Sequence, residues 1–131
     1  MLLVKTKLAQ SAIHGMGLFA DQFIPSGTTV WKFHEGFDIE YTDAQLDVLE
    51  PVPRAQMGHF VYVNPENGLA ILCGDNARFM NHSNTPNTHS AGGHGHDGIT
   101  VASRDIQVGE EQTCNYDEFD AAWNKALRDS I

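Results

Sequence analysis

Short apolar runs separated by turn-forming residues recur along most of the chain. Residues 11–17 read SAIHGMG, and Asn67-Gly68 is a dipeptide typical of a tight hairpin turn. The runs recur about every eight to twelve residues, which is typical of a β-rich fold. The predicted strands are Leu2–Leu8, Leu18–Ala20, Val30–Phe33, Phe60–Val63, Leu69–Leu72 and Ile99–Ala102.

Two segments carry helical patterns. The segment Thr42–Leu49 begins with Thr42 as an N-cap and has Gln45 three positions later, which is the spacing of a capping box. Pro51 and Pro53 are expected to end this helix, because proline cannot continue helical hydrogen bonding. Near the C-terminus, residues 118–129 place apolar side chains on one stripe and predict an amphipathic helix.

A long polar segment, residues 74–98, follows neither period and is rich in Gly, Asn, Ser, His and Pro. Segments of this length without periodicity are usually functional or mobile in compact domains. It ends in a tract with His89, His94, His96 and Asp97 that could bind a metal ion. The glycines leave such ligands without fixed positions, so a surface loop is the favoured interpretation and no specific metal site is predicted.

Composition narrows the class of protein. The chain has 131 residues, 41% of them hydrophobic, which predicts one globular domain with a core of its own. Its apolar runs are too short and broken for a bilayer span or a signal peptide, so we expect no membrane partner and a cytoplasmic location. Two cysteines, Cys73 and Cys114, are too few for a disulfide framework or a four-cysteine zinc site.

The balance of charge is the unusual property of the chain. Eight Lys and Arg residues stand against 17 Asp and Glu residues, which gives a formal net charge of −9. Nucleic-acid binding needs clustered positive charge, so direct nucleic-acid binding is not expected. Eight of the acidic residues lie in 97–129 and six lie in 35–50. Such surfaces attract basic partners over long range, and a solvated acidic face without a partner is the alternative.

Three motifs carry candidate chemistry, and each alone has an ordinary explanation. GMG at 15–17 could be a plain turn, RFMNHSNTPN at 78–87 a polar loop, and Tyr116 a half-buried packing residue. In order, and with ITVASRDIQVGEEQTCNY at 99–116, they resemble the SET domain of S-adenosylmethionine-dependent protein-lysine methyltransferases. The family pattern runs GxGLFA, RFxNHSCxPN and GEELTxDY, and the resemblance extends from about residue 3 to residue 120.

The resemblance implies a mainly β fold: a SET-like β-clip of several small sheets, with few short helices and a C-terminal pseudoknot. In such a pseudoknot the C-terminal segment passes beneath a loop formed by earlier residues, a rare arrangement among folds. Residues 1–131 would form a single SET-like domain. A variable insert would occupy about residues 38–72, and the C-terminal helix about residues 118–129.

The resemblance also assigns roles to single residues. Tyr116 matches the tyrosine at the methyl-transfer pore and is the predicted catalytic residue. Phe60, Tyr62 and Cys114 are the predicted walls of a lysine channel. The predicted contacts to S-adenosylmethionine are Gly15, Met16, Gly17, Arg78, Phe79, Asn81, His82, Phe119 and Trp123. For the last two, stacking of one aromatic ring on adenine and packing in the core are both open.

Three positions depart from the family pattern. Cys114 stands where the family usually has Phe or Tyr, which leaves room for higher degrees of methylation. Asn115 replaces the usual Asp. Asn84 replaces a cysteine that in many relatives joins three others around zinc, and those three are absent from the sequence as well. No structural zinc is therefore expected.

The predicted activity is S-adenosylmethionine-dependent methyl transfer to the side-chain amine of a lysine in a basic protein or peptide. The alternative is a SET-fold module that binds cofactor or basic peptide without efficient turnover, which the departures at Cys114 and Asn115 keep open. A homodimer, in which a second copy supplies groove walls, is a further option for so short a chain. Delivery to a host nucleus or chromatin is the alternative to a cytoplasmic location.

Overall fold

The computed structural model describes residues 1–93, 98–118 and 120. Short strands dominate this part of the chain and form four small sheets. In chain order the elements are β1 (Thr6–Gln10), β2 (Met16–Ala20), β3 (Thr29–Lys32), β4 (Ile39–Tyr41), α1 (Asp43–Asp47), α2 (Pro51–Phe60), β5 (Tyr62–Val63), β6 (Ala70–Leu72), β7 (Asn81–His82), β8 (Thr88–Ser90), β9 (Ile99–Ala102) and β10 (Thr113–Cys114). Single turns of 3-10 helix cover Asn76–Phe79 and Tyr116–Glu118. The predicted mainly β fold with few short helices is confirmed.

Strand β1 begins later than the apolar pattern predicts. The predicted strand was Leu2–Leu8, whereas β1 starts at Thr6 and pairs antiparallel with β2 in the register Thr6↔Ala20. Leu2 makes an isolated bridge with Trp31 instead. The turn between β1 and β2 sets this register, because a hairpin's loop determines which residues face each other.

The other sheets follow the predicted strands closely. Strands β3, β9 and β8 form one antiparallel sheet, and β4, β6 and β5 form another. The hairpin predicted at Asn67-Gly68 joins β5 to β6, and Gly68 adopts a φ of +73°, which glycine accommodates without steric cost. The prediction that Phe60 belongs to a strand was wrong, because Phe60 is the last residue of α2.

The helix predicted from Thr42 is present, with its capping box. Gln45 N–H donates to Thr42 Oγ1 at 3.1 Å, and Thr42 N–H donates to Gln45 Oε1 at 2.8 Å. The two prolines that follow do more than end this helix, because Pro51 begins α2. Both prolines lie in the first turn of α2, where backbone N–H groups have no intrahelical partner, so their missing donors cost nothing.

Removal of the capping side chain is expected to weaken α1. Thr42→Ala deletes the acceptor for the Gln45 N–H and should lower the free energy of unfolding by about 1 kcal/mol. Urea denaturation followed by circular dichroism measures this change. Thr42→Ser keeps the hydroxyl and serves as the control with wild-type stability, and an unchanged midpoint in the alanine variant would contradict the expectation.

Three clusters of buried apolar residues form the core. One joins β2, β3 and β9, and consists of Ala20, Ile24, Val30, Ala102 and Ile106. The second joins β3 to β6, and consists of Trp31, Phe33, Ile71 and Cys73. The third consists of Leu18, Met80 and Cys114, with Tyr116 packed against it. Burial of a side chain such as Leu18 stabilises the fold by about 1.5–3 kcal/mol. This third cluster therefore helps to hold Cys114 and Tyr116 against the rest of the fold.

The C-terminal segment is bound on two sides by earlier parts of the chain. Strand β10 lies parallel to β7, with Thr113 beside Asn81 and Cys114 beside His82. From the other side, the Thr88 hydroxyl donates to the Thr113 carbonyl at 2.6 Å, and Asn87 Nδ2 donates to the Glu111 carbonyl at 2.8 Å. These contacts lie where the C-terminal pseudoknot was predicted. No helix within residues 1–93, 98–118 or at position 120 is long and apolar enough to cross a membrane.

Candidate active site

Two glycines shape the turn between β1 and β2: Gly15 lies in the turn, and Gly17 lies at the start of β2. Gly15 adopts a φ of +47°, in the left-handed region that glycine tolerates best, and its carbonyl accepts from the Ser11 N–H at 2.8 Å. Gly17 is buried against the side chain of Glu111. A Cβ atom at Gly17 would lie 2.5 Å from Glu111 Oε2 and 3.0 Å from Ser11 Cβ. Only glycine fits at position 17 without displacement of its neighbours.

Asn81 attaches this turn to β7. Its Nδ2 atom donates to the His14 carbonyl at 3.0 Å, to the Met16 carbonyl at 3.3 Å and to Glu111 Oε2 at 3.0 Å. The Ser11 hydroxyl donates to the same carboxylate, at 2.7 Å from Oε1. Asn81 was predicted to contact the cofactor directly. Its amide group here holds the backbone of the turn in place.

An open cavity of about 260 Å³ lies against the turn, and we call it the turn-side cavity. Gly15 and Met16 form one part of its wall, and Arg78, Phe79 and Asn81 form another. These five residues were predicted to contact the cofactor, and the fold brings them together. Two further predicted contacts, Gly17 and His82, do not line this cavity. Gly17 packs against Glu111 and Ser11, and His82 follows Asn81 in β7.

A second cavity, of about 410 Å³, is lined in part by the last turn of α2, and we call it the channel cavity. Its walls are mostly apolar and include all three residues predicted for the lysine channel, Phe60, Tyr62 and Cys114. Trp31, Cys73 and Met80 also line it, as do two carboxylates, Glu118 and Asp120.

The two cavities meet at a shared set of side chains, His59, Phe60, Arg78 and Tyr116. The rings of Phe60 and Phe79 are in edge-to-face contact with centroids 5.7 Å apart. The Arg78 guanidinium lies 4.8 Å from the Phe60 centroid and 5.4 Å from that of Phe79, within cation–π distance. This junction is where groups bound in the two cavities would approach each other.

Tyr116 is held firmly at the junction. Its hydroxyl donates to the Met80 carbonyl at 2.6 Å, and its backbone N–H donates to His82 Nδ1 at 3.1 Å. Burial raises the pKa of Tyr116 above its ordinary value of 10.0, and the nearby Cys114 and Asp120 raise it further. The phenol is therefore protonated and uncharged near neutral pH.

Three other ionisable side chains in the wall of the channel cavity, Cys73, Cys114 and Tyr62, are also held in their neutral forms. Burial raises the pKa of the Cys73 thiol to about 12, and burial raises the pKa of Cys114 as well. Burial, with smaller effects of Cys73 and nearby carboxylates, raises the pKa of Tyr62. The apolar, uncharged part of the wall that these side chains form disfavours a charged ammonium group and favours a neutral amine.

The two carboxylates of the channel cavity are tied to strand backbones. Glu118 Oε2 accepts from the Ser90 N–H at 3.0 Å, and Asp120 Oδ1 accepts from the Val63 N–H at 2.9 Å. These bonds place negative charge beside both β8 and β5. The arrangement suits a cationic group that approaches the cavity from solvent.

Some predictions concern residues that the structure does not describe, and some site residues were not predicted. Several predicted features lie outside the described residues: Phe119, Trp123, the tract from His94 to Asp97, and the helix expected over 118–129 apart from Glu118 and Asp120.

Two residues that line or support the site, Glu111 and His59, were not predicted as site residues. Glu111 belongs to the GEE motif, which was a usable signal, whereas His59 has no local pattern that points to the junction.

Comparison with known proteins places the chain in a family. The SET domain family model matches residues 15–117. Among solved structures, a proposed histone methyltransferase from Plasmodium falciparum superposes with a TM-score of 0.62 and 17% identity, over 88% of this chain and 95% of that chain. A search of curated proteins finds no match.

Two structures of Polycomb Repressive Complex 2 from Chaetomium thermophilum are also similar. A humanized mutant bound to an inhibitor has a TM-score of 0.63 and 27% identity, over 88% of this chain and 15% of that chain. An autoinhibited form bound to S-adenosylmethionine has a TM-score of 0.64 and 22% identity, over 97% of this chain and 17% of that chain. The chain thus corresponds to a small part of those proteins. Since the family match covers most of its 131 residues, the chain belongs to the SET domain family.

Proposed function

We propose that the chain transfers a methyl group from S-adenosylmethionine to the side-chain amine of a lysine in a protein substrate. The observation that carries this proposal is the meeting of two cavities at Tyr116. One cavity is bounded by a glycine turn and a polar strand, and the other by apolar side chains with acidic residues among them. Membership of the SET domain family supports the same activity.

The residues of the turn-side cavity are suited to S-adenosylmethionine. Gly15 and Met16 offer backbone groups at close range, because no Cβ stands at Gly15. The Arg78 guanidinium suits a carboxylate such as that of the methionine moiety, and Phe79 offers an apolar surface. When bound, S-adenosylmethionine supplies an electrophilic methyl group on a sulfonium. One of the similar solved structures is bound to S-adenosylmethionine.

The channel cavity is suited to a neutral lysine amine. Free lysine has a pKa of about 10.4, so nearly all of it is charged near pH 7. Trp31, Met80 and Cys114 present apolar surface to this cavity, and the two thiols and the Tyr62 phenol in its wall are uncharged. Such surroundings favour release of the ammonium proton before reaction.

Tyr116 is the predicted catalytic residue, and its surroundings define what it can do. Its raised pKa keeps the phenol protonated, so it does not act as a phenolate base. Its O–H donates to the Met80 carbonyl, and its phenol oxygen can act as an acceptor that orients an amine or a methyl group at the junction. Alignment of reacting atoms to about 3–3.5 Å supplies much of the rate of such a displacement.

The substrate that fits this site best is a basic, lysine-containing protein or peptide. Glu118 and Asp120 line the channel cavity, and the chain carries a formal net charge of −9. Positive segments would be drawn to this face, and salt would weaken that attraction. The small side chain of Cys114 in the cavity wall leaves room for more than one methyl group on the amine.

The direct test is methyl transfer from labelled S-adenosylmethionine to basic peptides and to proteins of a cell lysate. We expect label on lysine, located by mass spectrometry, and none on matched peptides with arginine in place of lysine. The same spectra count the methyl groups. If calorimetry detects S-adenosylmethionine binding but no label is incorporated, the chain is a binding module rather than an enzyme. Absence of both would contradict the proposal altogether.

A further inference from the structure

His82 is held between two residues from different parts of the chain. Its Nδ1 atom accepts from the backbone N–H of Tyr116 at 3.1 Å, and its Nε2 atom lies 3.0 Å from Oδ1 of Asn84. The imidazole also packs against the Tyr116 ring, with centroids 5.4 Å apart. Asn84, His82 and Tyr116 therefore form a continuous series of contacts from an exposed loop to the junction of the two cavities.

The donors and acceptors in this series determine where the imidazole proton lies. A backbone N–H can only donate, so Nδ1 of His82 must be unprotonated. A neutral imidazole then carries its proton on Nε2 and needs an acceptor there, which Asn84 Oδ1 supplies. An imidazolium would also carry a proton on Nδ1. That N–H would point at the backbone N–H of Tyr116 and could not accept a hydrogen bond from it. The uncharged amide of Asn84 supplies an acceptor without favouring the imidazolium.

We propose that Asn84 is a positioning residue for methyl transfer, because it anchors Nε2 of His82 and thereby orients the imidazole that holds Tyr116. The proposal rests on the proposed function, in which Tyr116 is the predicted catalytic residue. Asn84 is exposed and lines neither cavity, so it acts through His82. The family pattern has a cysteine at this position, and sulfur is a weaker acceptor than the amide oxygen of Asn84.

Asn84→Ala tests the proposal in steady-state kinetics. Loss of one exposed hydrogen bond is expected to lower kcat about threefold to tenfold. KM for the peptide should change by less than about twofold, because Asn84 lines neither cavity. In hydrogen exchange measured by NMR, the Tyr116 amide should exchange about threefold to tenfold faster.

Two further variants separate anchoring from general loosening of the loop. Asn84→Gln keeps an uncharged amide oxygen as acceptor and should return both kcat and the Tyr116 exchange rate most of the way to the wild-type values. Thr85→Ala, in the same exposed loop, is the matched control and should leave both unchanged, since its hydroxyl lies near Ser83 rather than His82.

The proposal is overturned by an unchanged kcat or an unchanged Tyr116 exchange rate in Asn84→Ala. It is equally overturned by a loss that Asn84→Gln does not restore even in part, or by a loss confined to KM or Kd. If the wild-type chain has no turnover, the proposed function fails. The Tyr116 exchange rate then still decides whether Asn84 anchors His82, so the two failures are distinguishable.

Discussion

Tyr116→Phe is expected to reduce methyl transfer by about 100-fold or more, with the Kd for S-adenosylmethionine changed by less than about threefold. The phenol oxygen lies at the junction of the two cavities, where loss of an orienting group affects alignment rather than cofactor binding. The variant also loses the bond from the hydroxyl to the Met80 carbonyl, which should cost about 1 kcal/mol of stability and leave the fold intact.

Single-turnover kinetics with a labelled methyl group measure the first effect, and calorimetry measures the second. Tyr41→Phe is the matched control, because Tyr41 is half-buried in β4 and lines neither cavity. Wild-type turnover should also persist to about pH 10 without loss from phenol ionisation, since the pKa of Tyr116 lies above its ordinary value. Unchanged turnover in Tyr116→Phe would remove the catalytic assignment.

Gly17→Ala is expected to weaken S-adenosylmethionine binding by about tenfold or more and to lower the free energy of unfolding by about 1–3 kcal/mol. The added Cβ would stand 2.5 Å from Glu111 Oε2. That carboxylate cannot move aside freely, because it accepts from the Ser11 hydroxyl and from Asn81 Nδ2. The methyl group must therefore displace the turn that lines the turn-side cavity.

Calorimetry and urea denaturation measure the two effects of Gly17→Ala separately. Gly58→Ala is the stability control, because an added Cβ at Gly58 has no atom within 4 Å and the residue lies inside α2. Alanine there should raise stability by about 0.5–1 kcal/mol, since it favours the helix over the unfolded chain. A Gly17→Ala protein with wild-type affinity and stability would show that the turn tolerates a side chain.

Local sequence signals predicted local structure well. The capping box at Thr42 and Gln45 and the hairpin at Asn67-Gly68 both form as the residues indicate. Each depends on hydrogen bonds or backbone angles within a few positions, so neighbouring residues contain the information needed. The first helix ends before Pro51 as predicted, but α2 was missed because proline is compatible with both the end of one helix and the first turn of the next.

Motif order, rather than local pattern, indicated the family and the candidate site. The glycine turn, the segment 78–87 and the segment around Tyr116 carried that resemblance, and the family match over residues 15–117 confirms it. The resemblance did not reveal what each side chain contacts. It assigned Asn81 to the cofactor, and it did not indicate that the Asn81 amide also holds the turn and Glu111.

The sequence by itself determined the short strands, their turns, the acidic character and the set of candidate residues, because these depend on neighbours in the chain. Only the tertiary structure decided that Ser11 bonds Glu111, that β7 pairs with β10, and that Tyr116 lines both cavities. Such contacts join residues tens of positions apart. They depend on how all the sheets pack around a common core, which no local period specifies.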